Sequence, residues 1–315
     1  MSLKFWLGIS SFSLSFFAIF LNILIFLPVF RLAFIAKKSS IYVIAFFNIL
    51  SDLMQLSITC FYLSASIIAD RYVLTGERLN GLSIILGFIF INAWYMECLV
   101  QIVMAVNRFT VITMKQKNIF TFRTTMLIFV FLISTTVFSA ICTQYIFPCC
   151  VFISDHDIMS FMFLNIEGEY SYSNLMLVSY DIFCTSTSTL CYISVLRSIR
   201  KSRNNTVASN VQRNRNNQDI RYLFQFVFIS VFYIFTWVLF ELLPHIVPAN
   251  QTEWYSVVPV LVTFNCSSNS IIYLTMNLDV QKALQILWLR EKLVAGKQSS
   301  QAQVASLPRI NNYQI

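Results

Sequence analysis

The chain has few charged residues and few of the residues that commonly interrupt helices. Charged side chains make up 11% of its 315 residues, and it contains only six Gly, six Pro and two His. A soluble domain usually carries roughly 25% charged residues, so the composition argues against a soluble globular protein. Two His are also too few for the clustered ligands of a typical metal centre. We therefore expect no enzymatic activity and no bound cofactor.

Apolar residues make up 57% of the chain, and 31 of them are Phe. They form seven stretches long enough to cross a bilayer, because a spanning helix needs roughly 20 mostly apolar residues and satisfies its own backbone hydrogen bonds. The predicted spans are residues 5 to 30, 41 to 69, 81 to 112, 123 to 147, 174 to 198, 222 to 247 and 254 to 277. The pattern predicts an all-α membrane protein built as a seven-helix bundle.

After the last span, residues 279 to 293 place apolar side chains on one helical face and basic ones elsewhere. This pattern is typical of an amphipathic helix that lies in the membrane interface. We therefore expect one helical domain over residues 1 to 293, ending in a short eighth helix, and a short cytoplasmic tail over residues 294 to 315.

The basic residues predict how the chain is oriented. Except for Lys4, Arg71 and Arg78, all Lys and Arg residues lie in or next to every second loop between the predicted spans, or in the tail. Cytoplasmic loops retain positive charge, so we expect the N-terminus outside and the C-terminus in the cytoplasm of a plasma-membrane protein. The formal charge of +8 then indicates contact with anionic membrane lipid rather than with nucleic acid.

Three acidic residues stand out well inside the predicted spans: Asp52, Glu97 and Asp181. An ionisable side chain in hydrocarbon costs a few kcal/mol, so each is a functional candidate. Glu97 and Arg108 are 11 residues apart, which returns to nearly the same face of a helix three turns later. Both side chains are therefore expected to point into the bundle.

Four short motifs carry a resemblance to a known superfamily. Asn22, the run 48 to 52 (NILSD), the run 105 to 109 (AVNRF) and the run 269 to 273 (NSIIY) occur in order and at matching depths. They resemble the motifs of the first, second, third and seventh helices of rhodopsin-like seven-helix receptors. The third-span NRF, the many Phe residues and the run 145 to 150 (YIFPCC) resemble nematode serpentine chemoreceptors of classes x, xa and t.

The resemblance covers most of residues 10 to 293 and implies a G-protein-coupled chemosensory receptor. Its ligand would be a small environmental or pheromone-like molecule, and its cytoplasmic partner a heterotrimeric G protein. The residues it implies for activation and coupling are Asn107, Arg108, Asp219, Asn269 and Tyr273. In the family the Arg meets the tail of the G-protein α subunit, and we hypothesise that Arg108 contacts Asp219 at rest.

The resemblance also implies a polar core that contains Asn22, Asp52, Glu97 and Asn265. Two carboxylates in a low-dielectric site do not readily ionise together. Either they share a proton within a water network, or a cation such as sodium lies at Asp52 and Glu97.

The ligand pocket is expected to open outward between the third, fifth, sixth and seventh spans. The side chains that could reach it are Trp94, Tyr180, Asp181, Trp237 and Glu241. For each aromatic residue, ordinary helix packing is the alternative interpretation. Nearby, Asn250 begins an Asn-Gln-Thr sequon on the outer side and is a potential glycosylation site.

The chain also departs from the superfamily pattern. Asn107 replaces the usual acidic residue, and Ser270 replaces the usual Pro. The first outer loop contains no Cys for the superfamily's disulfide to the second outer loop. Cys149 and Cys150 could form an adjacent-residue disulfide, pair with another chain or remain thiols.

An ion or proton-coupled transporter or channel is the main alternative, because Asp52 and Glu97 could relay protons. A retinal-binding light sensor is disfavoured because the seventh span contains no Lys for a Schiff base. The sequence does not predict an oligomeric state.

Overall fold

The computed structural model describes residues 3 to 116, 119 to 164, 168 to 204, 210 to 248 and 250 to 287. Within these ranges, residues between 202 and 226 are described by their backbone alone. Seven long helices occur in these ranges: α1 Leu3–Ile35, α2 Ser40–Ala69, α3 Gly81–Ile112, α4 Phe122–Ile146, α5 Tyr172–Asn204, α6 Asn210–Ile246 and α7 Thr252–Met276. Each contains a segment long and apolar enough to cross a membrane. The predicted seven-helix architecture is therefore confirmed.

Helices α5 and α6 extend furthest beyond their predicted spans. The sixth span was expected to begin at residue 222, but α6 already begins at Asn210, and α5 continues to Asn204 rather than ending at 198. The prediction followed hydropathy, which marks only the part of a helix that lies in lipid. Backbone hydrogen bonding continues into the polar ends.

Polar side chains begin three of the helices. Ser39 caps α2, and Thr121 caps α4 by accepting a hydrogen bond from the backbone of Thr124 at 3.2 Å. At the start of α3, Asn80 accepts from the backbone of Leu82, and the Ser83 hydroxyl accepts from the backbone of Asn80. Such caps satisfy backbone groups that the first helical turn leaves unpaired.

α3 lies at the centre of the bundle, where it packs against α2, α4 and α5. α1 and α2 close against α7, and α6 packs between α5 and α7. The outward faces of the helices carry large exposed apolar side chains, among them Phe17, Phe131, Phe183 and Leu190. In a soluble protein such a surface would be a liability, whereas lipid chains cover it in a membrane.

A short β-hairpin connects α4 to α5. Strand β1 (Phe152–Asp155) pairs antiparallel with β2 (Ser160–Phe163), with Phe152 opposite Phe163. The carboxamide of Gln144, at the end of α4, donates to the carbonyl of Phe152 at 3.0 Å and accepts from its N–H at 2.8 Å, which holds the hairpin against α4. The same carboxamide donates to the carbonyl of Ile84 on α3 at 3.2 Å. Most of the hairpin side chains are buried.

Candidate functional site

Two buried acidic clusters lie at different depths in the bundle. The first contains Asp52 on α2, whose Oδ2 accepts hydrogen bonds from the side chains of Asn48 at 3.0 Å and Asn269 at 3.2 Å. Asp52 is fully buried, and the thiol of Cys266 lies close to its carboxylate and to that of Glu97. The structure therefore brings the predicted residues of α2 and α7 together.

Glu97 on α3 completes this first cluster. Its Oε2 accepts from Gln55 at 2.9 Å, and its Oε1 accepts from Asn265 at 2.5 Å and from Gln101 at 3.5 Å. Gln55 was not predicted from the sequence, although it lies three residues after Asp52 and therefore on the same helical face. We refer to Asn22, Asp52, Gln55, Glu97, Asn265 and Asn269 as the polar core.

Several acceptors of the polar core are buried without a partner among the described residues. They are Oδ1 of Asp52 and the side-chain oxygens of Asn22, Gln55, Asn265 and Asn269. Asn22 uses its NH₂ group to reach the carbonyl of Cys266 on α7 at 3.2 Å. Buried acceptors need donors. The polar core is therefore suited to bind water molecules, with a proton on one of its carboxylates, or a hard cation that prefers oxygen ligands.

The second cluster surrounds Asp181 on α5, which is 1% exposed. Its Oδ1 accepts hydrogen bonds from Trp94 Nε1 at 3.1 Å, from the hydroxyl of Tyr233 and from the thiol of Cys98 at 3.6 Å. Its Oδ2 is buried with no hydrogen-bond partner in the described part of the chain. The carboxylate therefore joins α3, α5 and α6, and its Oδ2 can still accept a hydrogen bond.

Next to Asp181 lies a partly open cavity between α3, α5, α6, α7 and the hairpin, and its empty space, including the part open to solvent, is about 330 Å³. Its lining residues are Phe90, Ile91, Trp94, Phe152, Phe161, Leu177, Asp181, Thr236, Trp237, Phe240, Val258 and Val262. Three of the five predicted ligand-binding residues, Trp94, Asp181 and Trp237, are among them. A mostly apolar cavity with a few polar groups is the usual form of a small-molecule site.

The other two predicted residues lie outside this lining. The Tyr180 ring packs on Tyr95 with centroids 4.4 Å apart, and its hydroxyl hydrogen-bonds with Ser139 of α4 at 2.7 Å. Glu241 lies one turn beyond Trp237 on α6 and accepts from Asn174 of α5 at 3.1 Å. Tyr180 therefore takes part in helix packing, and Glu241 joins α5 to α6 beyond the cavity.

The hairpin forms the outer wall of the cavity through Phe152 and Phe161. At its turn, Asp155 is buried, pairs with Arg78 at 2.6 Å and accepts from the hydroxyl of Tyr72 at 2.8 Å. Burial, together with the hydrogen bond to Asp155, raises the pKa of Tyr72 above its ordinary value. These contacts fix the hairpin to the loop between α2 and α3.

A third group of possible metal ligands lies on the same side, where Asp70, His156 and Asp157 approach one another. Lys4 contacts the carboxylate of Asp70 and lies 3.5 Å from that of Asp157. Its ammonium group is a cation already next to both carboxylates, so this cluster is an ion-pair network.

The predicted coupling residues lie at the opposite end of α3. Asn107 is buried and Arg108 is partly buried, close to Tyr192 of α5. Tyr192, which was not predicted, also hydrogen-bonds with Ser230 of α6. The side chain of Asp219 lies outside the described residues, so the proposed contact with Arg108 stays a prediction.

Tyr273 is buried near the inner end of α7, and the chain is helical again over residues 278 to 287. Asn277 caps this segment by accepting from the backbone of Asp279 and Val280. Asp279 also accepts from Tyr42 at 2.9 Å and pairs with Lys38 at 2.7 Å. Although burial opposes it, these contacts lower the pKa of Asp279 below its ordinary value.

The structure also describes two further features that the sequence left open. Asn250 is exposed beyond the end of α6, as glycosylation would require. Cys149 and Cys150 are joined as an adjacent-residue disulfide, and both are buried.

Comparison with solved structures supports the fold. The crystal structure of squid rhodopsin superposes on the chain with a TM-score of 0.69 at 15% sequence identity, over 91% of this chain and 86% of the rhodopsin chain. The chain thus shares the seven-helix fold of squid rhodopsin. A comparison with curated proteins gives no significant match.

The family follows from the sequence itself. The family model for the serpentine type 7TM GPCR chemoreceptor Srx matches residues 12–300. The protein therefore belongs to the Srx family of G-protein-coupled chemoreceptors, which is one of the three classes, x, xa and t, that its motifs resemble.

Proposed function

We propose that the protein is a plasma-membrane receptor that binds a small molecule in the cavity beside Asp181 and signals to a heterotrimeric G protein. The N-terminus would lie outside and the C-terminus in the cytoplasm, as the distribution of Lys and Arg predicts. The hairpin would then cover the outer side of the ligand site. The cavity between α3, α5, α6 and α7 is the single observation that carries the proposal.

The contacts of Asp181 suggest how a ligand would act on the helices. Asp181 on α5 holds Tyr233 of α6 and Trp94 of α3. Trp237 lies one turn from Tyr233 on α6 and lines the cavity. A ligand that contacts Asp181 and Trp237 differently in two arrangements of α6 would shift the balance between those arrangements.

At the cytoplasmic end, Arg108 would contact the G protein when α6 moves outward and Asp219 when α6 is packed inward. Tyr192 supports this assignment, because it lies near Arg108 and hydrogen-bonds with Ser230 of α6. An inward-packed structure that places the charged groups of Arg108 and Asp219 more than about 8 Å apart, too far for a direct ion pair, would remove this contact.

For the polar core we propose a cluster of water molecules with one proton shared by Asp52 and Glu97. The unpartnered side-chain acceptors of this cluster favour molecules that can donate hydrogen bonds. A sodium ion is the second candidate, since the carboxylates approach each other closely enough to share one.

The proposal is tested by expressing the receptor with a G-protein reporter and screening small molecules. We expect a ligand-dependent response that Arg108→Ala abolishes while surface expression is retained. Arg123 is exposed at the start of α4, and Arg123→Ala is the matched control that leaves the response intact. A response that survives Arg108→Ala would contradict the assigned role.

A transporter or channel is the alternative that the two buried carboxylates allow. Purified protein in vesicles distinguishes the two functions. Substrate uptake or current without any G protein would favour transport, whereas a receptor gives neither.

A further inference from the structure

The cavity offers a ligand two polar contacts in an apolar surrounding. Eight of its twelve lining residues have purely apolar side chains, and a ninth, Trp94, already donates its only polar hydrogen to Asp181. The other three are Asp181, Thr236 and Trp237. Asp181 provides Oδ2, an acceptor without a partner among the described residues. Trp237 provides Nε1, a donor that is buried and likewise unpartnered in the described part of the chain.

The two oxygens of Asp181 have different roles. Trp94, Tyr233 and Cys98 all donate to Oδ1, and this fixes the orientation of the carboxylate. Oδ2 receives no such donor, although the side chain is 1% exposed. Leaving a buried carboxylate oxygen without a partner is costly, so Oδ2 is the atom that a ligand in the cavity would satisfy.

The charges around the cavity favour one kind of ligand. No Lys, Arg or His occurs among the described residues that line it, so Asp181 has no cationic neighbour there. Glu241 adds a second acid one turn further out on α6. A carboxylate or phosphate ligand would meet like charges in a site of low dielectric constant, whereas an ammonium group would be attracted.

We propose that the ligand is a small amine with an apolar or aromatic body. Its ammonium group donates to Asp181 Oδ2, and its body packs against Phe90, Phe161 and Phe240. Trp237 Nε1 accommodates an acceptor on the same molecule, so that an amine that also carries a hydroxyl or carbonyl group binds more tightly. The empty space of about 330 Å³ is partly open to solvent, and the probes chosen below have a body of one ring on a short chain.

This inference rests on the proposed ligand site and is tested with probes that differ only in their polar group. Purified wild-type receptor in lipid nanodiscs is titrated with 2-phenylethylamine, 2-phenylethanol and 3-phenylpropionate, and thermal stabilisation reports binding. We expect the amine to bind at least tenfold more tightly than the alcohol, and the carboxylate to bind more weakly than both. Comparable binding of the carboxylate, or no binding of the amine, would overturn the proposal.

The Asp181→Asn variant tests the residue itself. The carboxamide keeps the shape and removes the charge, so we expect amine affinity to fall at least tenfold while alcohol affinity changes less than threefold. Glu253 is exposed on the outer side, and Glu253→Gln is the matched loss of one acidic charge that leaves amine affinity unchanged. If Asp181→Asn fails to fold, the comparison of probes on the wild type still decides the question. An equal loss of amine affinity in both variants would show only general attraction and would refute the assignment to Asp181.

The reporter assay separates this inference from the receptor function. If amines do not bind but other compounds drive G-protein activation that depends on Arg108, the amine inference fails and the proposed function stands. If amines bind through Asp181 without any G-protein response, the amine inference stands and the proposed signalling function fails.

Discussion

Replacing Gly87 by Ala tests how closely the hairpin rests on α3. Gly87 is buried on the outer half of α3, and a Cβ added there would lie 2.1 Å from the carbonyl oxygen of Phe152 and 2.7 Å from Nε2 of Gln144. Ordinary contact begins at 3.4 Å, which is 1.3 Å further away. Because the nearest atom belongs to the backbone, the hairpin itself must move.

The magnitude follows from opposing effects. Ala in place of Gly inside a helix stabilises it by about 0.5–1 kcal/mol. Overpacking costs about 1–3 kcal/mol, and each hydrogen bond that Gln144 loses to Phe152 costs about 0.5–1.5 kcal/mol more. If one of these hydrogen bonds is lost, we therefore expect Gly87→Ala to destabilise the receptor by about 0.5–4 kcal/mol. The variant should also weaken ligand binding, because Phe152 lines the cavity.

Thermal unfolding of the purified receptor measures the first effect, and ligand titration measures the second. Gly81→Ala is the matched control, since Gly81 begins the same helix and an added Cβ would meet nothing within 4 Å. The control should be neutral or slightly stabilising. A second variant, Gly87→Ala with Gln144→Ala, should not restore stability, because the clash with the Phe152 carbonyl remains.

Two results would refute this reasoning. If Gly87→Ala is as stable as Gly81→Ala, the hairpin does not lie against α3 as described. If removing the Gln144 side chain restores stability, a flexible carboxamide and not the hairpin backbone sets the limit.

Contacts in the inner half of the bundle lead to three more tests. The lowered pKa of Asp279 implies stabilisation that is present above its ordinary pKa of 3.8 and lost as the pH falls through the lowered folded value. The melting-temperature difference between wild type and Asp279→Asn should therefore stay constant down to about pH 5 and shrink near pH 3, and a pH-independent difference would contradict the ion pair with Lys38. Gln55→Ala leaves Glu97 Oε2 without its donor and should cost about 1–3 kcal/mol in an unfolding assay, whereas a loss below about 0.5 kcal/mol would show that the bond contributes little. Replacing choline chloride by sodium chloride should leave wild-type stability unchanged, and a sodium-specific gain that Asp52→Asn removes would instead identify an ion.

The spans and the polar core could be predicted because both depend on properties that a single sequence displays. Hydropathy marks the membrane segments, and a buried acid such as Asp52 is rare enough in hydrocarbon to be conspicuous. Glu97 was conspicuous for the same reason, and its grouping with Asp52 and Asn265 then followed from the resemblance to rhodopsin-like receptors. The structure places all three in one network.

The cavity lining was harder to predict, because it depends on which way each side chain points. Tyr180 precedes Asp181 directly, but successive residues of a helix point about 100° apart, so Tyr180 contacts α4 while Asp181 faces α3 and α6. Tyr233 was missed although it lies one turn before Trp237 on the same face. An aromatic residue in an aromatic-rich helix gives no signal of its own, and only the contact with Asp181 distinguishes it.

The position of two consecutive residues of α3 connects the ligand cavity to the polar core. Cys98 donates to Asp181 and contacts Tyr233, whereas Glu97 accepts from Gln55 of α2 and Asn265 of α7. A rotation or shift of α3 at this level therefore changes both acidic clusters together. Among these contacts, only Tyr233 belongs to α6, the helix that is proposed above to move during activation. Tyr233→Phe removes its hydroxyl and keeps its ring, so it should change how strongly a bound ligand shifts α6 while leaving the polar core intact. If Gln55→Ala instead reduces signalling without changing stability, the ligand cavity is coupled to the rest of the bundle through α2 and α7.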